Sequence, residues 1–153
     1  MKDINNHFTY AYSLGTEVDF SQKLTGDDIS TNVLDLKKAD IIQSGGKRPT
    51  YIVIKVGTTG WTGGGSITIR LQTATADDGT TGAEILSQWT FSNTMGATAG
   101  TLLVCQVLPM AVYQRYLAVY FDIETTQGYV EAYLSDAPEL PAAAIDQETS
   151  ILV

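Results

Sequence analysis

The feature that most constrains this chain is a two-residue alternation of apolar and polar side chains that recurs in short runs. Successive side chains of a β-strand point to opposite faces, so this alternation predicts strands that bury one face in a core. Clusters rich in glycine, aspartate, serine and threonine separate the runs and predict turns. Seven runs show the pattern clearly and two near the start show it weakly: 29–36, 51–56, 66–73, 84–91, 101–108, 113–123 and 128–134, then 8–12 and 17–20.

Seven to nine short strands with almost no helical periodicity predict an all-β protein. Because the connections vary in length, we expect an antiparallel β-sandwich of the jelly-roll type with extended N- and C-terminal arms. At 153 residues the chain is long enough to form one domain with its own core. We expect an N-terminal arm at 1–16, the sandwich at 17–136 and an extended C-terminal tail at 137–153.

The composition changes after the last predicted strand, where proline and alanine become frequent. Proline disfavours strand pairing and favours an extended course, so the tail is expected either to fray or to lie along a neighbour. The sequence ends in an apolar triplet, which favours docking. Ile151 and Leu152 are therefore candidate partner contacts.

The chain is acidic, with nine Lys and Arg against 17 Asp and Glu. An acidic surface repels phosphate backbones and anionic lipids, so we expect neither nucleic acid nor a membrane as a partner. No stretch approaches the roughly 20 apolar residues that a membrane-spanning helix needs, and the first residues lack the pattern of a secretory signal. We therefore expect synthesis in a cytoplasm.

The glycine-rich stretch at 57–66, GTTGWTGGGS, invites comparison with a phosphate-binding loop. It lacks the lysine of a P-loop, and an alternating run follows it where a P-loop has a helix, so we interpret it as a long connection between two strands. Trp61 is expected at the tip of this flexible loop, where it could stack on a sugar ring, fill a pocket of a partner, or fold back over the end of the sandwich. Trp89 lies in an alternating run and is predicted to pack in the core or between the sheets.

Residues that commonly carry catalysis or bind metals are sparse. The only histidine, His7, is expected to be solvated in the N-terminal arm, without the buried carboxylate that a His-centred triad needs. The only cysteine, Cys105, lies in an apolar run and is interpreted as a small buried hydrophobic residue. Asp77 and Asp78 precede a glycine, but without the further carboxylates of a calcium loop they predict an Asx-type turn. We predict no enzymatic activity, no cofactor and no metal site.

Tyrosines alternate with small or acidic residues in the last two predicted strands, opposite a row of aliphatic residues. If the aliphatic rows face the core, the tyrosines form a group on the outer side. Exposed aromatic groups are frequent at protein interfaces, which makes these side chains candidate partner contacts. The alternative is that the N-terminal segment or a neighbouring sheet covers this second face too. The tyrosines are Tyr116, Tyr120, Tyr129 and Tyr133.

Several segments resemble the small capsid cement, or decoration, proteins of tailed bacteriophages. The resemblance covers residues 18–138 and is carried by STNVLDL at 30–36, by LLVCQVLP at 102–109, and above all by QRYLAVY at 114–120 and VEAYL at 130–134. Members of that family are jelly-roll sandwiches. They sit as homo-oligomers on the outside of the icosahedral shell and bridge neighbouring subunits of the major capsid protein.

The resemblance implies a structural protein on the outer surface of a virion, made in the cytoplasm of a bacterial host. Its implied partners are the major capsid protein and further copies of itself, as a homodimer or homotrimer. On this interpretation Arg115 pairs with a carboxylate at the edge of the core or acts as an interface anchor, and we favour the pairing.

An alternative from another functional class is a carbohydrate-binding jelly-roll module of a phage or bacterial surface structure. Jelly rolls commonly bind sugars, and Trp61 is placed where a stacking side chain would be useful. A hydrolase would need a pair of carboxylates facing each other across a cleft, and the sequence identifies no such pair.

Overall fold

The computed structural model describes residues 6–9, 20–37, 49–92, 96–125 and 127–138. These residues form β-strands joined by turns and loops, without an α-helix among them. The strands are β1 (Gln22–Lys23), β2 (Asp28–Ile29), β3 (Leu34–Asp35), β4 (Tyr51–Val56), β5 (Ser66–Ala74), β6 (Glu84–Ser92), β7 (Leu102–Val107), β8 (Tyr116–Ile123) and β9 (Tyr129–Ser135). The prediction of an all-β protein is confirmed.

The strands form two antiparallel sheets that pack face to face. Sheet I has the order β1-β9-β4-β7, and sheet II has the order β2-β8-β5-β6. The short strand β3 also pairs with β8, beyond β2 along the same edge, so β2 and β3 together act as one interrupted edge strand. Counted in this way, eight strands are divided four and four between the sheets, in the strand order of a jelly roll.

The alternation in the sequence sets the register of the central strands. The ladder between β5 and β8 runs without a shift from Ile67 opposite Ile123 to Ala74 opposite Tyr116. Side chains at every second position of β5, from Ile67 to Leu71, point into the sandwich and are buried, and the residues between them are half-buried. A one-residue slip would expose this whole apolar row, which is why the pattern fixes the pairing.

The core lies between the two sheets and draws on both. Each fully buried aliphatic or aromatic side chain contributes roughly 1.5–3 kcal/mol relative to an exposed one. The members of the core are Phe8, Leu24, Leu34, Ile52, Ile54, Val56, Trp61, Ile67, Ile69, Leu71, Val104, Leu117, Val119, Phe121, Val130, Ala132 and Leu134. The aliphatic rows predicted for the last two strands are therefore the core faces.

The part of the predicted N-terminal arm that the structure describes, residues 6–9, lies in the sandwich. Phe8 donates its N–H to the carbonyl of Ala132 at 2.9 Å and buries its ring completely in the core. His7 is only 2% exposed, and its ring stacks on that of Tyr133 with 4.9 Å between centroids. The expectation of a solvated His7 was wrong, because this segment pairs with β9.

The two ends of the sandwich have different loops. At one end lie the connections 57–65, 96–101, 124–125 and 127–128, and we call it the tryptophan end. At the other lie the connections 75–83 and 108–115, and we call it the methionine end. Most of the predicted C-terminal tail, including Ile151 and Leu152, lies outside the described residues.

Candidate functional site

Trp61 lies inside the sandwich. Its side chain is 1% exposed, and its indole Nε1 donates a hydrogen bond to the carbonyl of Tyr129 at 2.7 Å. Its backbone N–H donates to the carbonyl of Ala97 at 2.8 Å, which ties the loop to the connection before β7. This corrects the expectation of a side chain at the tip of a flexible loop. Of the alternatives open from the sequence, Trp61 folds back over the end of the sandwich.

The glycines around Trp61 allow this closure because they bring backbones together. A Cβ on Gly60 would lie 2.8 Å from the carbonyl oxygen of Ala97, closer than real Cβ contacts allow. A Cβ on Gly128 would meet the carbonyl oxygens of Gly60 and Thr59, the latter at 2.8 Å. The glycine-rich stretch therefore joins two strands, as predicted, and also packs against the connection between β8 and β9.

The four candidate tyrosines do not form one group. Tyr116 and Tyr120 lie in β8 of sheet II, and Tyr129 and Tyr133 lie in β9 of sheet I. Because all four point away from the shared core, the two pairs lie on opposite outer faces of the sandwich. The expectation of a single tyrosine group on one outer side is corrected by the strand order, which places β8 and β9 in different sheets.

The outer face of sheet I is covered around Tyr133. This side chain is 6% exposed, lies under the ring of His7, and has the Lys55 ammonium 5.2 Å from its ring centroid. Lys55 also approaches Glu131 at 3.9 Å. At Tyr133 the N-terminal segment therefore covers the second face, which is the alternative that the sequence left open. Tyr129 is half-buried, and its carbonyl is the acceptor for the Trp61 indole.

Two arginines organise the outer face of sheet II. Arg70 donates to Asp122 at 2.8 Å and to Gln88 at 3.2 Å, and its guanidinium lies 5.7 Å from the ring centroid of Tyr120. This set links β5, β6 and β8 on the solvent side, where exposed ion pairs contribute little to stability.

Arg115 pairs with Asp35 through two hydrogen bonds, at 2.9 and 3.2 Å, and its guanidinium lies 5.0 Å from the ring centroid of Tyr116. These hydrogen bonds raise the pKa of Arg115 above its ordinary value. The predicted pairing of Arg115 with a carboxylate is confirmed. Tyr116 and Tyr120 are thus half-buried side chains packed beside arginines.

The connection 75–83 folds over part of the same face. Gln72 donates to the carbonyl of Gly79 at 2.7 Å, and a Cβ on Gly79 would lie 2.9 Å from that of Ala118. The φ angle of Gly79 is +70°, a conformation that favours glycine. As a result Ala118 and Gln72 are buried although they point away from the core.

Asp78 sets the turn of this connection. Its carboxylate accepts hydrogen bonds from the backbone N–H groups of Thr80 and Thr81, both at 2.8 Å, and from the Thr81 hydroxyl at 2.6 Å. These bonds, that from the Thr81 hydroxyl foremost, lower the pKa of Asp78 from 3.8 to about 2. The predicted Asx-type turn is confirmed.

The largest exposed apolar side chains of the described residues lie at the methionine end. Met110 is fully exposed and Val112 is 89% exposed, both in the connection 108–115. Val107 at the end of β7 and Ile85 at the start of β6 are 47% and 56% exposed. None of the four is among the candidates drawn from the sequence. The sequence could have indicated this apolar loop, because the connection that reads Pro109, Met110, Ala111, Val112 lacks the polar turn residues found elsewhere in the chain.

Residues with reactive side chains are dispersed. Cys105 is half-buried on β7, opposite Val53. Trp89 packs against the core from β6 and donates from Nε1 to Gln106 of sheet I at 3.0 Å, which confirms its predicted role in packing between the sheets. Within the described ranges, no three or more His, Cys, Asp and Glu side chains lie close enough together to hold a metal ion. That same part of the chain has no helix long and apolar enough to cross a bilayer.

Comparison with known proteins identifies a family. The model of the Bbp16 family matches residues 18–134, which include every strand from β1 to β8 and all but the last residue of β9. The chain therefore belongs to the Bbp16 family. No curated protein matches it.

Proposed function

We propose that this member of the Bbp16 family is a capsid cement protein, which binds the outer surface of a tailed-phage head and clamps neighbouring subunits of the major capsid protein. The chain would be made in the cytoplasm of the bacterial host and act as a homodimer or homotrimer on the virion. No cofactor and no catalytic group enter this function, which consists of binding alone.

The observation that supports the proposal most strongly is the jelly-roll strand order, together with the position of the segments that resemble decoration proteins. The segments 114–120 and 130–134 carry the most distinctive part of that resemblance. Residues 116–120 of the first segment lie on β8 and all of the second lies on β9, and both strands are flanked by strands on both sides in their respective sheets. The resemblance therefore involves the framework of the fold, and the fold is the one it implies.

A clamp acts by contacting more than one subunit at once. If one copy, or one oligomer, spans the seam between two shell subunits, the contacts on each side act together and the apparent affinity greatly exceeds that of either contact. The subunits can then separate only if one of those contacts breaks, so the clamp raises the barrier to rupture. The acidic composition is compatible with an outer location away from the genome.

The carbohydrate-binding alternative depended on Trp61 as a stacking side chain. With its indole in the core, that side chain offers no face to a sugar ring. A glycan array of the purified protein separates the two functions, since a cement protein gives no signal on it.

The direct test of the proposed function is cosedimentation of the purified protein with shells of its phage stripped of this protein. Saturable binding, with a stoichiometry related to the number of shell subunits, is the expected result. Shells that bind no protein at concentrations up to the micromolar range would exclude the clamp.

A further inference from the structure

We propose that the methionine end, centred on Met110 and Val112, is the surface that docks on the shell, and that it meets an apolar hollow flanked by lysine or arginine. The inference rests on the proposed function and adds to it which part of the molecule makes contact and what chemistry receives it.

Exposure of apolar side chains at this end is unlike that elsewhere in the described residues. The four large apolar side chains exposed there are Ile85, Val107, Met110 and Val112. The ladders place Val107 opposite Tyr51 in sheet I and Ile85 opposite Gln72 in sheet II, so both lie at this end of the sandwich, each on the outer face of its own sheet. Met110 and Val112 lie in the connection between β7 and β8 and are the most exposed of the four. Large apolar side chains exposed side by side in one loop are typical of an interaction site.

The connection that carries Met110 and Val112 is held at both of its ends. Leu108 donates its N–H to the carbonyl of Thr50 at 2.8 Å, and the Gln114 N–H donates to the Thr73 hydroxyl at 2.8 Å. Tyr113 packs against the core and donates its hydroxyl hydrogen to the carbonyl of Pro109, closing the loop on itself. Burial also raises the pKa of Tyr113 above its ordinary value. A loop ordered before binding loses less entropy when it docks.

Carboxylates line the sheet II side of this end. Glu84 starts β6 opposite Thr73, the residue that anchors Gln114, and it is exposed. Asp77 and Asp78 are exposed in the connection 75–83, and Asp77 is close enough to Arg115 to affect its titration. Asp78 remains ionised well below neutral pH because its pKa is about 2. The chemistry that complements an apolar centre with such a rim is an apolar hollow with basic neighbours.

Met110 suits the central position of this contact. Its side chain is unbranched, flexible and polarizable, so it can fill a hollow of irregular shape. Among the described residues the tryptophan end shows no such group, since the exposed residues of the connections 57–65, 96–101 and 124–125 are threonine, glycine, alanine and one glutamate.

The test compares three purified proteins in the same cosedimentation assay with stripped shells: wild type, Met110→Asp and the control Thr62→Asp. Thr62 is an exposed residue of the tryptophan end, so its substitution introduces the same charge on the opposite side. We expect Met110→Asp to weaken binding roughly tenfold or more, as at an interface hot spot, while Thr62→Asp binds as the wild type does. Thermal unfolding of all three should coincide, since both positions are exposed.

The outcomes separate this inference from the function on which it rests. Wild type and both variants binding equally would overturn the docking surface and leave the cement function standing. Wild type that fails to bind would overturn both.

A second experiment raises the salt concentration from about 0.05 M to about 0.3 M. The added salt should weaken wild-type binding because it screens the carboxylates beside the apolar side chains. An affinity that does not change with salt would overturn the inference that lysine or arginine flanks the hollow of the partner.

Discussion

Both the tryptophan end and the methionine end contain loops that join strands of the two sheets, but they place their large apolar side chains differently. The tryptophan end is rich in glycine and turns the large apolar side chain of Trp61 into the core. The connection 108–115 at the methionine end has no glycine and turns Met110 and Val112 into solvent. The difference teaches that a loop tryptophan can be structural and a plain aliphatic loop can be the better candidate for binding.

The largest expected effect of a substitution falls at Trp61. Trp61→Ala removes a fully buried ring and its hydrogen bond to Tyr129, and we expect a loss of about 3–5 kcal/mol in the free energy of unfolding. Urea unfolding followed by far-UV circular dichroism measures it. A loss below about 1 kcal/mol would show that the ring is not part of the core, and the comparison of the two ends would fail.

A smaller loss is expected from Gly128→Ala. The new Cβ meets the carbonyl oxygens of Gly60 and Thr59, so the loops of the tryptophan end must separate, at a cost of about 1–3 kcal/mol. The matched control is Gly26→Ala, where a Cβ meets nothing within 4 Å and the effect should be near zero. Equal stabilities of the two variants would contradict the close backbone packing.

Acid titration tests the turn at the methionine end. The pKa of Asp78 falls from 3.8 to about 2 on folding, so its hydrogen bonds contribute stability above about pH 4, and that contribution is lost as the pH falls toward 2. In Asp78→Asn this part of the acid sensitivity should disappear, whereas Asp77→Asn should retain it. Unfolding curves between pH 2 and pH 5 measure the difference. Identical profiles for wild type and Asp78→Asn would rule out this contribution.

The smallest effect on stability is expected at Met110. Met110→Ala removes a side chain that contacts solvent, so the free energy of unfolding should change by less than about 0.5 kcal/mol. Together with Trp61→Ala, this variant measures how differently the two ends use their large apolar residues. A loss of several kcal/mol would mean that Met110 is buried in solution.

Local patterns predicted the strands because burial follows them directly. The alternation in 66–73 and 113–123 predicted strands with one apolar face without knowledge of the topology, and those faces of β5 and β8 lie in the core, with Ile67, Ile69, Leu117, Val119 and Phe121 among its members. The Asp78 turn was also local, since its hydrogen bonds span at most three residues. In each case the pattern that predicts the structure lies within one strand or one turn, so it can be recognised in the sequence.

The position of the candidate contacts depended on topology. The tyrosines of β8 and β9 are close in sequence, yet the connection between these strands crosses from sheet II to sheet I and sends them to opposite faces. Trp61 is buried through contacts with Ala97 and Tyr129, which are distant in the chain. No pattern of neighbouring residues contains that information.

The N-terminal segment gives the same lesson. His7 was expected in solvent because it belongs to the predicted N-terminal arm, and it is buried because it lies beside β9 and stacks on Tyr133. Ile151 and Leu152 lie outside the described residues, and their role as partner contacts stays a prediction.

The measurement that tests the central claim most directly is the temperature at which shells of the phage rupture, with and without saturating amounts of this protein. Dye access to the packaged DNA reports rupture during heating. A clamp predicts a clear rise in rupture temperature that follows the occupancy of the shell. Saturated shells that rupture at the same temperature as bare ones would contradict the proposed function.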